Sequence, residues 1–118
     1  MSNKIDKINA ELLRQLSYVL NYEFKDPRVD AIITVIKVNT TTDLKQAKVY
    51  LSILPNSDKS QESMLKVIQN ASGFVRNQLK NKLDIRNIPE LNFVLDDSIE
   101  YGMKIEKLIK EIHKNDNK

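Results

Sequence analysis

Residues 31–40 and 47–54 both alternate along the chain, and only the polar stretch 41–45 and Gln46 separate them. A period of two is the side-chain repeat of a strand with one face covered. In the second stretch Ala47, Val49, Leu51 and Ile53 alternate with Lys48, Tyr50 and Ser52. The first is rich in β-branched residues. Strict alternation sets its Ile32, Thr34, Ile36 and Val38 on one side and Ile33, Val35 and Lys37 on the other. So short a connection argues for an antiparallel hairpin.

Helical spacing flanks the hairpin. Ile5, Ile8, Leu12, Leu16, Val19 and Leu20 predict an amphipathic helix over 5–22, with Asn3 as N-cap and Asp6 in the first turn. Pro27 disfavours helix at Asp26 and opens a loop. After the break Pro55-Asn56-Ser57-Asp58, a second apolar stripe runs through Met64, Leu65, Ile68, Ala71, Val75, Leu79 and Leu83 without losing phase. Ser72-Gly73 in its middle predicts a kink. Leu91, Phe93 and Leu95 alternate into a third strand, which a helical crossover allows to pair in parallel. Asp97-Ser98-Ile99-Glu100 predicts the start of a last helix with Ile99, Met103, Leu108, Ile109 and Ile112 on its face. The expected fold is α+β, a three-stranded sheet with helices on one face. It forms one domain over residues 1–114, with a polar tail at 115–118.

A chain of 118 residues can bury one core without crosslinks. It has no Cys, which excludes disulfides, thiolate metal sites and Cys nucleophiles. No apolar run approaches the roughly 20 residues that span a bilayer. No apolar segment follows Met1-Ser2-Asn3-Lys4, so no signal peptide is expected and the protein reads as soluble and cytoplasmic. Two glycines cannot build a phosphate loop, and no nucleophile elbow or zinc spacing occurs. The single histidine, His113, and the adjacent Asp96 and Asp97 read as surface, strand-end and capping residues rather than as catalytic or metal-ligating groups. No cofactor, metal or small-molecule substrate is expected.

The net charge is only +3, but it is not spread evenly. Between Lys59 and Arg86 stand six cations (Lys59, Lys66, Arg76, Lys80, Lys82 and Arg86) against Glu62 and Asp84, so this stretch exceeds the surplus of the whole chain. A clustered basic face is the footprint of a polyanion binder. On one straight helix Lys66, Asn70, Gly73, Asn77 and Lys80 form a stripe opposite the apolar one, with Arg76 at its edge. Lys82 falls on the apolar side, where it would snorkel. At Gly73 a sugar–phosphate backbone can approach the main chain, and a helix restarting there offers free N–H groups. Candidate RNA contacts are Lys66, Asn70, Ser72, Gly73, Arg76, Asn77, Lys80 and Arg86, with Lys37, Lys45 and Lys48 as a wider footprint. Tyr50 stands alone on the open sheet face, and Phe74 and Phe93 fit core positions, so backbone and shape reading is favoured over base stacking.

Several segments together resemble the ribosome-binding factor A family. They are Asp26-Pro27-Arg28-Val29, the hairpin run from Thr42 to Tyr50, Ala71-Ser72-Gly73-Phe74-Val75-Arg76, and Ile88-Pro89-Glu90-Leu91-Asn92-Phe93 followed by Asp96-Asp97-Ser98 to Gly102. The resemblance runs from the first helix to about Ile109. It implies a KH-like fold of the second topological type, in which an Ala-x-Gly kink, here Ala71-Ser72-Gly73, replaces the Gly-x-x-Gly loop. It further implies a monomeric, non-catalytic assembly factor. Such a factor binds the free 30S subunit and 16S rRNA near the decoding region, supports late maturation and 5′-end processing, and is linked to growth in the cold. The alternatives are a generic KH-like RNA-binding domain, a protein-interaction module using Ile99 to Ile112, and a small RNA-acting enzyme using His113 or Asp96 and Asp97.

Overall fold

A computed structural model describes residues 4–96. The expected last helix, Asp97, His113 and the polar tail lie outside the described residues. The chain runs through α1 (Lys4–Tyr18), β1 (Ala31–Thr40), β2 (Gln46–Pro55), α2 (Gln61–Asn70), α3 (Ser72–Leu79) and β3 (Glu90–Leu95). The sheet order is β1-β2-β3, antiparallel between the first two and parallel between the last two.

The core lies between the sheet and the helices. Leu12 and Leu16 of α1, Met64 and Ile68 of α2, and Val75 and Leu79 of α3 are buried against Val49, Leu51, Ile53 and Phe93. Two side-chain amides tie helix to sheet: Gln61 Nε2 donates to Ile53 O at 2.7 Å, and Gln69 Nε2 to Phe93 O at 2.9 Å. Ser60 caps α2, its Oγ accepting from the Ser63 N–H at 3.1 Å.

Three local features depart from simple periodicity. First, strict alternation fails in β1. Ile33 and Val35 point into the core, but so do Val38 and Thr40. The pairing jumps from Val35–Leu51 to Lys37–Tyr50, so Ile36 is an extra residue in the strand. This bulge keeps Lys37 in solvent and returns Val38 to the core. Second, α1 ends in a π-turn over Val19–Glu23, in which the Phe24 N–H donates to Val19 O at 2.8 Å. The wider turn lets the adjacent Val19 and Leu20 both be buried. Third, Leu44 in the β1–β2 turn has φ 62°, left-handed for a non-glycine residue. The turn is closed around it by Thr41 N–H to Gln46 O at 2.8 Å and Leu44 N–H to Thr41 O at 2.9 Å.

Candidate RNA-binding surface

The helix break falls one residue earlier than Ser72-Gly73. Ala71 has φ −96° and ψ 11° and separates α2 from α3. Its N–H donates to Val67 O at 3.1 Å and Ile68 O at 3.0 Å, and its own carbonyl accepts from the Val75 N–H at 3.1 Å. No side chain caps α3, which follows α2 after the single residue Ala71. Gly73 is exposed, and a Cβ placed on it would meet nothing within 4 Å. The fold itself therefore has no need of a glycine there.

The predicted residues divide into two groups. Lys66, Asn70, Gly73, Asn77 and Lys80 are all exposed, and neither lysine belongs to an ion pair among the described residues. Ser72 is half-buried beside them. Arg76 leaves this group. Its Nη2 donates to Ile88 O at 2.8 Å and its Nε is buried without a hydrogen-bond partner. Its side chain lines a cleft between the start of α1, the β1–β2 turn and the loop 84–89, and Arg86 and Lys45 line the same cleft. Glu90 N–H donates to Lys45 O at 2.8 Å, so the start of β3 brings that loop against the hairpin turn. Lys4 also lines the cleft, and no local pattern in the sequence points to it, because the cleft is made by tertiary contact.

Lys37 and Lys48 lie on the open face of the sheet, 6.0 and 5.3 Å from the centre of the Tyr50 ring. Lys82 does snorkel: its Nζ pairs with Glu23 Oε1 at 2.5 Å and sits 5.1 Å from the Tyr18 ring. Phe93 is a core residue, but Phe74 is not. Phe74 is 44% exposed next to Gly73, 6.4 Å from Phe24, because it stands off the apolar stripe that Ile68, Val75 and Leu79 continue in phase across Ala71. Among the described residues no group of three or more His, Asp or Glu side chains is placed to hold a metal, and no helix is long and apolar enough to cross a membrane.

The model of the family described as Ribosome-binding factor A matches residues 4–109. A ribosome-binding factor A of Lachnospira eligens is 42% identical over 117 residues, covering 99% of this chain and 89% of the relative. One of Staphylococcus epidermidis is 42% identical over 113 residues, 96% of either chain. The crystal structure of ribosome-binding factor A from Thermus thermophilus superposes with a TM-score of 0.67 at 23% identity, covering 77% of this chain and 93% of that one. A Thermus thermophilus RbfA homology model fitted into a cryo-EM map of a 30S–RbfA complex gives a TM-score of 0.61 at 24% identity, covering 75% and 91%. The fold is thus α+β and KH-like, in the order helix, strand, strand, helix, helix, strand.

Proposed function

Because this chain belongs to the ribosome-binding factor A family, we propose that it binds the free 30S subunit through 16S rRNA. It supports late subunit maturation and 5′-end processing without itself making or breaking a bond. The observation that carries this reading is the exposed stripe of Lys66, Asn70, Gly73, Asn77 and Lys80 across the α2–α3 break, whose lysines have no carboxylate partner among the described residues. Lysines supply charge to phosphate, asparagines supply amide donors, and the bare main chain at Gly73 admits the sugar–phosphate backbone. Neutralising several phosphates releases counter-ions, so binding falls steeply as salt rises. The RbfA fitted in the 30S complex has this fold, which supports the same mode of action for this chain.

The test is co-sedimentation with free 30S subunits over a salt series. Lys66→Glu with Lys80→Glu is the informative variant, since both side chains are exposed and their replacement leaves the core intact. Arg76 is unsuitable for this purpose, because it also anchors Ile88 O. The double variant is expected to lose co-sedimentation with an unchanged melting temperature. Undiminished co-sedimentation, or binding indifferent to salt, would overturn the reading in favour of a protein-interaction module.

A further inference from the structure

Three aromatic side chains stand exposed on the helical side of the molecule: Tyr18 is 50% exposed, Tyr22 66% and Phe74 44%. Single apolar residues scattered over a surface are ordinary, whereas a contiguous group marks a contact site. These three share one surface. Tyr18 and Tyr22 stand one turn apart at the end of α1, with ring centres 5.2 Å apart. The π-turn that carries Tyr22 packs against α3. Two contacts tie these pieces together. The Phe74 ring lies 6.4 Å from that of Phe24, directly after the π-turn. Lys82, just beyond α3, pairs with Glu23 and lies 5.1 Å from the Tyr18 ring.

The make-up of this surface favours nucleic acid over protein. The exposed aliphatic residues, Ile32 and Leu54, are paired across β1 and β2 on the open face of the sheet. Beside the helices, the exposed large apolar side chains among the described residues are all aromatic. The carboxylate of Glu23 is already neutralised by Lys82. Exposed rings with cations close by are what unstacked bases bind. The patch is also continuous with the stripe. Phe74 directly follows Gly73, and Asn77 stands one turn further along α3. A nucleotide whose phosphate meets the main chain at Gly73 has its base within reach of the Phe74 ring.

We propose that Phe74, Tyr18 and Tyr22 form a stacking platform for unpaired RNA bases alongside the phosphate-binding stripe. This assignment rests on the RNA-binding function proposed above and deepens it, because it names the ligand as a single strand with its bases turned towards the end of α1. Every base has a π-face, so the platform selects for strandedness rather than for sequence. A duplex offers its phosphates to Lys66 and Lys80 but keeps its bases stacked on one another and away from the rings.

Titration of the full chain with a single-stranded oligouridylate, followed by the aromatic ring NMR signals, tests the platform. The Phe74 and Tyr22 ring signals should shift to saturation, and an abasic strand of equal length and charge should leave them in place. Phe74→Leu with Tyr22→Leu keeps apolar bulk and removes the rings. That variant should bind oligouridylate roughly tenfold more weakly and the abasic strand as wild type does. Tyr22→Phe keeps the ring and should bind as wild type. Tyr22 is the most exposed of the three, so Tyr22→Leu alone should keep its melting temperature and still weaken binding, even if Phe74→Leu disturbs the contact with Phe24. Ring signals that move equally with both strands, or ring variants that bind oligouridylate as wild type does, would overturn the proposal and leave the patch to a protein partner. Lys66→Glu with Lys80→Glu should weaken both strands. Should it weaken neither, the stripe fails while the ring signals still report on the platform, so the two failures are distinguishable.

Discussion

Asn9 Oδ1 accepts two hydrogen bonds from one residue at the end of β1, the Thr40 N–H at 3.0 Å and the Thr40 hydroxyl at 2.5 Å. Thr40 is the one buried polar residue among the described residues, and Asn9 is the group that satisfies it. The pair joins α1 to the free edge of the sheet across 31 residues of sequence.

Asn9→Ala should therefore cost more than the loss of one contact would suggest. It leaves two donors at a buried residue without an acceptor, a penalty of about 1–3 kcal/mol. Thr40→Val removes the hydroxyl and leaves only the N–H to Asn9, so its cost should be smaller. Urea unfolding of the two variants checks the order, and equal or reversed costs would show that the pair does not hold the edge.

Acid should weaken the loop after α1 in a defined window. The side-chain hydrogen bonds of Arg28 to Asp26, at 3.0 and 2.7 Å, and then the Arg28 N–H at 2.9 Å, lower the Asp26 pKa from 3.8 to about 2. The folded value is depressed, so the contribution is complete above 3.8 and disappears as pH falls through about 2. The melting temperature of wild type should exceed that of Asp26→Asn at neutral pH, and the gap should close across that window. A gap independent of pH would mean that ionisation of Asp26 is not what matters.

The bulge at Ile36 yields a prediction about length rather than chemistry. Deleting Ile36 makes Ile33, Val35, Val38 and Thr40 an unbroken alternating set opposite Ile53, Leu51, Val49 and Ala47. The shortened chain should still fold cooperatively, losing only the half-buried Ile36 side chain and the local bend, on the order of 1 kcal/mol. A chain that fails to fold would show that the bend itself is required.

Legibility followed the range of the interactions. The hairpin, the three strands and the α2–α3 stripe were readable because burial repeats along the chain at local spacing, as in Ala47, Val49, Leu51 and Ile53. Strict alternation misplaced Lys37 and Val38, since a bulge has no period of its own and is fixed only by the partner strand. Phe74 was misassigned to the core on its hydrophobicity, although it stands one residue before buried Val75 and off the stripe of Ile68, Val75 and Leu79. Five stripe residues came out exposed as their spacing implied. Arg76 did not join them, because the carbonyl that holds it belongs to Ile88, twelve residues away in a loop whose position depends on β3. Lys4 in the cleft was invisible for the same reason.

Gly73 allows stability and function to be separated at one atom. It lies in α3 without a positive φ, and an added Cβ has open space around it. In a helix, alanine is favoured over glycine by about 0.5–1 kcal/mol, since less backbone freedom is lost on folding. Gly73→Ala should accordingly raise the urea midpoint. If rRNA backbone packs on the bare main chain there, the same methyl group stands where the sugar–phosphate chain must come closest, and co-sedimentation with 30S subunits should fall although every cation of the stripe remains. A more stable variant that binds as well as wild type would remove Gly73 from the surface while leaving Lys66 and Lys80 in place. A less stable variant would mean that the glycine serves the break at Ala71 after all.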